Sequence, residues 1–413
     1  MILTVKKYSL DKVKIKVLLL EGIHPNAEQY FRSMGYNSIE NLNGALEEDE
    51  LKEKIKSASI IGIRSRTQLN AEVLKVAERL IAIGCYSIGT NQVNGNFAKL
   101  SGIPVFNAPF SNTRSVAELV IAEIIMLLRE IPSKNSLAHK GKWLKSANNS
   151  YEIRGKNLGI VGYGHIGSQV SILAEAMGMS VFYYDIEKKL SLGKAYACSS
   201  LEELLAISDV VTLHVPSTPL TKNLIAEAQI KQMKDGACLI NLARGSVVDV
   251  SALANALKSK KISGAAVDVF PEEPSTNNDP FVNVLQEFDN VILTPHIGGS
   301  TIEAQANIGM EVSEKLVNYS DTGSTIGATN FVQISLQANT NKQRFMHIHK
   351  NVPGVMRQID HVFTSKGINI ASQYLQTDPE IGYVIIDTDS DTDAEILNEL
   401  KNIDHTIKAR MLY

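Results

Sequence analysis

The sequence predicts an α/β protein built from three parts, and three features of the chain support this prediction. The first is a G-x-G-x-x-G spacing at Gly162, Gly164 and Gly167, between an apolar run and an apolar-periodic segment. The second is the alternation of strand and helix patterns over residues 15–318, which is typical of parallel sheets. The third is the βαββαβ order of patterns from Arg344 onward, which is typical of a ferredoxin-like module.

A glycine-rich turn marks the predicted dinucleotide-binding part. The apolar run Leu158–Val161 predicts a buried strand before it, and the periodicity of residues 170–179 predicts a helix after it. Gly162 permits the tight turn, Gly164 allows the backbone to approach a pyrophosphate, and Gly167 allows the helix to pack close to the strand. Because the N-terminus of such a helix attracts anions, this stretch predicts a dinucleotide site.

The strand that follows predicts which dinucleotide is bound. Residues 180–184 predict a second strand, which ends at Asp185, where a carboxylate that hydrogen-bonds a ribose is expected. This carboxylate favours NAD, because the 2′-phosphate of NADP would lie against its charge. Lys188 and Lys189 lie close by in the sequence, so some use of NADP stays open.

Length and composition indicate a cytoplasmic protein of two or three domains. Its 413 residues carry a net charge of −3, which favours neither nucleic acid nor a membrane surface as a partner. The three cysteines form no C-x-x-C pair, so we expect neither a disulfide framework nor a metal site. Glu21 stops the apolar run at residues 17–20, and Glu123 interrupts the one at 119–128, so neither run predicts a signal peptide or a membrane span.

The first part of the chain alternates strand and helix patterns. Strands are predicted at residues 15–20, 59–63, 80–85 and 103–107, and helices at residues 25–34 and 71–77. This alternation predicts a small, parallel, doubly wound sheet of the flavodoxin-like type. Residues 115–130 then predict a long buried helix. Residues 134–150 are polar and contain Trp143, which fits an interface, a substrate cleft or a surface loop.

The second sheet is predicted to be a Rossmann sheet of six strands, the number in a complete dinucleotide-binding domain. Its four later strands are predicted at residues 210–215, 237–242, 264–269 and 291–294. Ligands of such sheets lie beyond the carboxyl ends of the strands. We therefore expect five side chains at these ends to converge on one crevice, namely Asp185, His214, Arg244, Asp268 and His296.

Three residues near these strand ends suit hydride transfer at a carbon that bears a hydroxyl group. His296 is the candidate general base, because an imidazole titrates near neutral pH. Glu273 is the candidate that orients this imidazole and raises its pKa. Arg244 has the forked guanidinium that binds a carboxylate in two places. Each residue alone is more often structural, but their shared position beside a predicted cofactor site favours a catalytic role.

Five motifs resemble those of the D-isomer-specific 2-hydroxyacid dehydrogenases, and the resemblance covers nearly the whole chain. The motifs are Gly-Ile-Arg-Ser-Arg-Thr at 62–67, Asn-Ala-Pro-Phe-Ser-Asn-Thr-Arg-Ser-Val-Ala-Glu at 107–118, Val-Gly-Tyr-Gly-His-Ile-Gly at 161–167, Asp-Val-Phe-Pro-Glu-Glu-Pro at 268–274 and Leu-Thr-Pro-His-Ile-Gly-Gly-Ser-Thr at 293–301. The resemblance implies that Arg244, Glu273 and His296 are catalytic. Glu273 is preferred to its neighbour Glu272, because the family glutamate directly precedes the proline.

The resemblance also implies the ligands. Within the family it points to NAD-dependent oxidation of 3-phospho-D-glycerate to 3-phosphohydroxypyruvate, the first step of L-serine synthesis. The predicted cofactor-binding residues are Gly162, Gly164, His165, Ile166, Gly167, Asp185, His214, Pro216, Leu242, Ala243, Arg244, Asp268, His296, Ile297, Gly298 and Gly299. The predicted substrate-binding residues are Arg64, Ser65, Arg66 and Asn112. Two arginines spaced two apart on a strand point the same way, so both can reach one phosphate.

The last part of the chain resembles an ACT domain, a module that senses small molecules. His349-Lys-Asn351-Val-Pro-Gly and Gly367-Ile-Asn369-Ile-Ala match the segments that bind free L-serine in feedback-inhibited members of the family. The resemblance therefore implies L-serine as an effector held by His349, Asn351 and Asn369, and a homotetramer as the assembly. A role of this module in assembly alone stays open.

The predicted domains are a substrate-binding domain at residues 1–110 and 300–338, a nucleotide-binding domain at 111–299 and a regulatory domain at 339–413. Residues 320–341 are rich in Gly, Ser, Thr and Asn, which predicts a linker. Two other functions stay open, namely a different D-2-hydroxy acid substrate such as D-2-hydroxyglutarate, and a non-catalytic corepressor that senses NAD. The presence of all three catalytic residue types argues against the corepressor.

Overall fold

The computed structural model describes residues 11–274, 276, 278–337, 343–389 and 394–412. Within them the chain forms three sheets, two parallel and one antiparallel, so the predicted α/β fold class is confirmed. The chain divides into two compact units, Met1–Ser111 with Gln305–Tyr413, and Asn112–Ala304. Among the described helices, none combines the length and the apolar character that a membrane span requires.

The first unit begins with a five-stranded parallel sheet. Its strands are β1 (Val17–Leu19), β2 (Ile39–Asn41), β3 (Ile60–Ile63), β4 (Ala82–Cys85) and β5 (Val105–Asn107). They pair in the order β2-β1-β3-β4-β5, which is the flavodoxin-like order. The sequence pattern missed β2, because this edge strand is short, only partly buried and has the charged Glu40 at its centre. The helices between the strands are α1 (Pro25–Ser33), α2 (Glu48–Ile55), α3 (Ala71–Lys75) and α4 (Gly95–Leu100).

The second unit contains a seven-stranded parallel sheet rather than the predicted six strands. Its strands are β6 (Asn157–Val161), β7 (Ser180–Tyr184), β8 (Tyr196–Ala197), β9 (Val210–Leu213), β10 (Ala237–Asn241), β11 (Ile262–Val267) and β12 (Val291–Leu293). The additional strand is β8, which has only two residues, both exposed, and so leaves no apolar pattern. The order is β12-β11-β10-β9-β6-β7-β8, so the topology reverses between β6 and β9, where ligands bind in such sheets.

Six α-helices accompany this sheet in the described residues of the second unit. They are α5 (Thr113–Leu128), α6 (Ile131–His139), α7 (His165–Ala176), α8 (Leu201–Ile207), α9 (Glu227–Gln232) and α10 (Val250–Lys258). The predicted long helix is α5, whose buried residues Val116, Val120 and Ile124 recur at helical spacing. The segment predicted as polar, residues 134–150, begins within α6, and Trp143 beyond this helix is 89% exposed.

Helix α11 (Ile302–Thr322) leads back into the first unit from Gln305 onward, and this unit ends in the predicted βαββαβ module. The module consists of β13 (Gln343–Lys350), α12 (Val355–Ser365), β14 (Ile370–Thr377), β15 (Ile381–Thr388), α13 (Ala394–Lys401) and β16 (Thr406–Leu412). Its antiparallel sheet has the order β14-β15-β13-β16. Buried side chains of the helices and strands form its own core, including Phe345, Ile359, Phe363, Val384 and Leu400.

The predicted linker at residues 320–341 is wrong where the chain is described, over residues 320–337, and residues 338–341 lie outside the described residues. Helix α11 continues to Thr322, and Phe331, Ile334 and Leu336 are buried. They belong to one apolar cluster that also contains Leu19 of β1 and Tyr383 of β15. The polar composition of the segment hid this core, because isolated apolar residues separated by polar ones give no helical or strand period.

A buried ion pair anchors the module where the chain enters it. Arg344 donates from Nε to Oδ1 of Asp387 at 2.7 Å and from Nη2 to Oδ2 at 2.9 Å. Its Nη1 donates to the carbonyl oxygens of Thr322 at 3.1 Å and Gln337 at 2.9 Å. The side chains of Arg344 and Asp387 are 5% and 4% exposed. The pair therefore ties the end of α11 and the following segment to the sheet of the module.

Replacing Asp387 by alanine is expected to destabilise the first unit by about 3–5 kcal/mol, because it leaves the charge of Arg344 buried without its carboxylate. The change in the urea midpoint of unfolding measures this loss. Glu380→Ala is the matched control, because Glu380 pairs with Lys99 while 42% exposed and should cost at most about 1 kcal/mol. Equal losses in the two variants would contradict the anchoring role of the Arg344 pair.

Candidate active site and cofactor site

The glycine turn has a separate geometric requirement at each glycine. Gly162 follows β6 with φ of 92°, and a Cβ atom there would lie 2.5 Å from the carbonyl oxygen of His214. A Cβ atom at Gly167 would lie 2.2 Å from the carbonyl oxygen of Gly162, whereas one at Gly164 would meet no atom within 4 Å. The turn is thus tight at Gly162, closely packed at Gly167 and open at Gly164. Helix α7 begins at His165, five residues before the predicted start, because the small and polar residues of its first turn carry no apolar period.

The turn and the acid after β7 form a surface that fits a dinucleotide. Asp185 accepts the N–H group of Tyr163 at 2.8 Å on Oδ2 and that of Glu187 at 2.9 Å on Oδ1. These two hydrogen bonds hold the carboxylate beside the glycine turn. His165 and Ile166 form the start of α7, and the N-terminus of a helix suits a pyrophosphate. The residues present therefore fit a dinucleotide whose ribose reaches Asp185.

His296 and Glu273 form a hydrogen-bonded pair. Nδ1 of His296 lies 2.9 Å from Oε2 of Glu273, and the other carboxylate oxygen accepts the N–H group of Phe270 at 3.0 Å. The hydrogen bond with Glu273 raises the pKa of His296, against the opposing effect of burial. Burial opposes ionisation of Glu273, but the hydrogen bonds from His296 and Phe270 outweigh it and lower the pKa of Glu273. With Nδ1 facing the carboxylate, Nε2 is the atom left for a substrate proton.

Arg244 lies close enough to this pair for its charge to lower the pKa of both Glu273 and His296. The loop that carries it is fixed by Asn241, whose side chain accepts the N–H group of Ala243 and donates to the carbonyl oxygen of Arg244, both at 3.1 Å. The structure thus brings the three predicted catalytic residues together at the carboxyl ends of β10, β11 and β12.

Asp268 organises the loop that carries His296. Its Oδ1 accepts the hydroxyl of Thr294 at 2.6 Å and the N–H group of Ile297 at 2.8 Å, and its Oδ2 accepts the N–H group of Gly298 at 2.8 Å. The residue is 1% exposed. The N–H group of His296 donates to the Asp268 carbonyl oxygen at 2.8 Å, and His296 has φ of 54°. One buried residue after β11 therefore sets the conformation of the loop after β12.

The other residues predicted to bind the cofactor lie around the same edge of the sheet. Leu242 and Ala243 are both 7% exposed after β10, whereas Pro216 is exposed after β9. His214 contacts the hydroxyl of Thr212 through Nε2 at 3.0 Å, and burial lowers its pKa to about 3. A neutral His214 is therefore available as a contact surface and not as an acid.

The predicted substrate residues lie in both units. Asn112, before α5, is 9% exposed and packs against the loop of His296, because a Cβ atom at Gly299 would lie 2.0 Å from its Nδ2. Arg64, Ser65 and Arg66 belong to the first unit, in the loop directly after β3. Arg64 is partly buried, whereas Ser65 and Arg66 are exposed. Asn112 is thus the predicted substrate residue that the structure places beside His296 within the second unit.

The three predicted effector residues do not form one cluster within a single module. His349 pairs with Gly382 at one end of β15, and Asn351 beside it donates to the carbonyl oxygen of Asp378 at 2.7 Å. Asn369 instead donates to Asp389 at 2.5 Å, at the other end of β15. The length of this strand, about 20 Å, separates the two groups. A site that uses all three residues therefore requires two modules.

One buried acid near the site was not predicted. Glu123 on α5 is fully buried, and neither carboxylate oxygen has a hydrogen-bond partner. Burial and the charge of Asp268 raise the pKa of Glu123 to about 8, so it is mostly neutral at pH 7. The signal was present as a single charge within an apolar helix. In the described part of the chain, no group of three or more His, Cys, Asp or Glu residues is arranged to hold a metal ion.

Two parts of the chain match known protein families. Residues 121–298 match the family described as D-isomer specific 2-hydroxyacid dehydrogenase, NAD binding domain. Residues 345–408 match the AHAS small subunit-like ACT domain. A solved D-lactate dehydrogenase from Aquifex aeolicus, in complex with NAD and lactic acid, is similar with a TM-score of 0.64 and 31% identity, over 74% of this chain and 95% of that chain.

Similarity to whole proteins covers almost every residue. The chain is 57% identical to the D-3-phosphoglycerate dehydrogenase of Haemophilus influenzae over 98% of this chain and 99% of that protein. It is 56% identical to the D-3-phosphoglycerate dehydrogenase of Escherichia coli K12 over 98% of this chain and 100% of that protein. The chain therefore belongs to the D-3-phosphoglycerate dehydrogenase family of the D-isomer specific 2-hydroxyacid dehydrogenases, with a C-terminal ACT domain.

Proposed function

We propose that this protein oxidises 3-phospho-D-glycerate to 3-phosphohydroxypyruvate with NAD, the first step of L-serine synthesis. The observation that supports this reaction is the pair of His296 and Glu273, whose Nδ1 and Oε2 atoms are 2.9 Å apart and close to Arg244. The substrate is supported by the full-length relatives, which are named for D-3-phosphoglycerate. NAD is supported by Asp185 beside the glycine turn, because its charge disfavours a 2′-phosphate.

The proposed mechanism assigns one task to each residue. NAD, when bound at the glycine turn and Asp185, supplies the acceptor of the hydride. His296 takes the hydroxyl proton of the substrate at Nε2, because Nδ1 faces Glu273. Glu273 holds the ring in this orientation and stabilises the imidazolium that forms. Arg244 binds the substrate carboxylate and the developing carbonyl oxygen.

Two alternatives make different predictions in one assay. A turnover assay with NADH compares 3-phosphohydroxypyruvate with 2-oxoglutarate, and the proposal predicts the higher kcat/KM for 3-phosphohydroxypyruvate. A preference for 2-oxoglutarate would favour the D-2-hydroxyglutarate alternative. Binding of NADH without turnover of either substrate would favour the corepressor alternative, against which the assembled catalytic residues argue.

His296→Ala is expected to lower kcat by about 10²–10⁴-fold, the usual contribution of a general acid-base group, while NADH still binds. Glu273→Gln should also lower kcat, and its pH profile gives a further test. Oxidation requires neutral His296, so it falls as the pH drops through the raised pKa of His296. Removal of the Glu273 charge lowers this pKa, and the acid limb of kcat/KM should move to lower pH. An unchanged limb would contradict the role of Glu273.

Arg64 and Arg66 are proposed to bind the substrate phosphate, because guanidinium donors match its oxygens. Arg64→Ala is expected to raise KM for 3-phosphohydroxypyruvate by about tenfold or more, as loss of a charged hydrogen bond predicts. The KM for hydroxypyruvate, which has no phosphate, should change much less. Steady-state kinetics with both substrates measure the difference. Equal increases for the two substrates would leave the arginines as an ordinary solvated pair.

L-serine is proposed as a feedback inhibitor, and two modules are proposed to form each site. The separation of Asn369 from Asn351 and His349 within one module supports a site shared by a pair of modules. Binding of L-serine would then shift the enzyme toward whichever of two states has the higher affinity for serine. A homotetramer and a cytoplasmic location complete the proposal. The homotetramer is supported by the family likeness. The cytoplasmic location is supported by the three cysteines, which are all free and buried.

Asn351→Ala is expected to raise the serine concentration for half-inhibition by about tenfold, as the loss of a hydrogen bond to a charged ligand predicts. Inhibition is measured relative to the uninhibited rate of each variant. Gln373→Ala is a matched control, because this amide pairs with Asp360 on an exposed part of the same module. Millimolar serine that neither binds calorimetrically nor inhibits the unmodified enzyme would leave the module as an assembly device or a sensor of another ligand.

A further inference from the structure

One buried carboxylate braces the loop after β3 from inside. Glu21 is 8% exposed, and its Oε1 accepts the N–H groups of Arg64 at 3.1 Å and Thr67 at 2.9 Å. Its Oε2 accepts the N–H group of Arg66 at 2.9 Å. Hydrogen bonds to an ionised carboxylate are stronger than those between neutral groups. Glu21 therefore fixes the backbone of the residues that carry the two guanidinium groups.

A second polar side chain holds the same loop through its carbonyl group. Gln92, which is 9% exposed, donates from Nε2 to the carbonyl oxygen of Arg64 at 2.5 Å and to the hydroxyl of Ser87 at 3.3 Å. The N–H and C=O groups of Arg64 are thus held by side chains from two separate segments. Neither brace uses the side chains of Ser65 and Arg66, which stay exposed.

The backbone of Glu21 adopts the left-handed conformation that favours glycine. Its φ is 66°, and its own N–H group donates to the carbonyl oxygen of Gly44 at 3.0 Å. A side chain at positive φ is strained, and such strain persists where the surrounding structure holds it in place. At Glu21 this strained conformation is held by the carboxylate of the residue itself, through its three hydrogen bonds to the loop after β3.

We propose that Glu21 is a positioning residue for the phosphate of the substrate. Its carboxylate accepts hydrogen bonds from three N–H groups of the loop, so that these groups do not bind the phosphate themselves. The guanidinium groups of Arg64 and Arg66 are then the anion-binding groups, held on a fixed backbone. This inference rests on the proposed function, because the phosphate role of the two arginines is part of that proposal.

Glu21→Gly tests this inference, because glycine removes the carboxylate and relieves the positive φ. Kinetics with NADH compare 3-phosphohydroxypyruvate with hydroxypyruvate. We expect kcat/KM for the phosphorylated substrate to fall by about 10- to 100-fold, mostly through KM, since small displacements of a positioning group have effects of this order. The values for hydroxypyruvate and the affinity for NADH should change much less. Glu40→Gln is the matched control, because Glu40 lies in the same sheet but pairs with Lys54.

Further variants separate failure of the inference from failure of the proposed function. If Glu21 acts through Arg64, the double variant Glu21→Gly/Arg64→Ala should lose less than the sum of the single losses. A selective effect of Arg64→Ala with equal effects of Glu21→Gly on both substrates would overturn the role of Glu21 alone. Equal effects of Arg64→Ala on both substrates would overturn the assignment of the phosphate to Arg64 itself. If Glu21→Gly does not fold, Glu21→Gln replaces it. The NH₂ group of the glutamine would then face an N–H group of the loop in place of a carboxylate oxygen, and the same selectivity decides the outcome.

Discussion

The buried carboxylate of Asp268 is the interaction on which the candidate active site depends. It follows β11 but accepts hydrogen bonds from the loop after β12, so one side chain joins the ends of two neighbouring strands. Because these hydrogen bonds are charge-assisted and shielded from water, they hold the positive φ of His296. The geometry between His296 and Glu273 follows from this constraint.

The first unit uses the same physical device at a different loop. Glu21 follows β1 and accepts N–H groups from the loop after β3, just as Asp268 joins neighbouring loops in the second unit. Parallel strands place their carboxyl ends along one edge, so a carboxylate after one strand can reach the loop of its neighbour. In both units the side chains proposed to act on the substrate are therefore carried on loops whose backbone is held by a buried acid.

Much of this architecture follows from local patterns in the sequence. The glycine turn, Asp185 and the strand ends that carry Arg244 and His296 were predictable, because each depends on residues adjacent in the chain. The strand β8 and the packed segment around Phe331 were not, since neither gives a periodic pattern. The bracing roles of Glu21 and Asp268 were also missed. They depend on hydrogen bonds to distant backbone, and an isolated acid after a strand does not indicate which loop it will hold.

These loops hold His296, the proposed general base, beside Glu273, which raises its pKa. An NMR titration of the imidazole measures this directly, with the His296 signal assigned among the nine histidines by its absence in the His296→Ala variant. We expect the pKa of His296 to lie above the ordinary value of 6.5. A pKa at or below 6.5, with no change in Glu273→Gln, would contradict it.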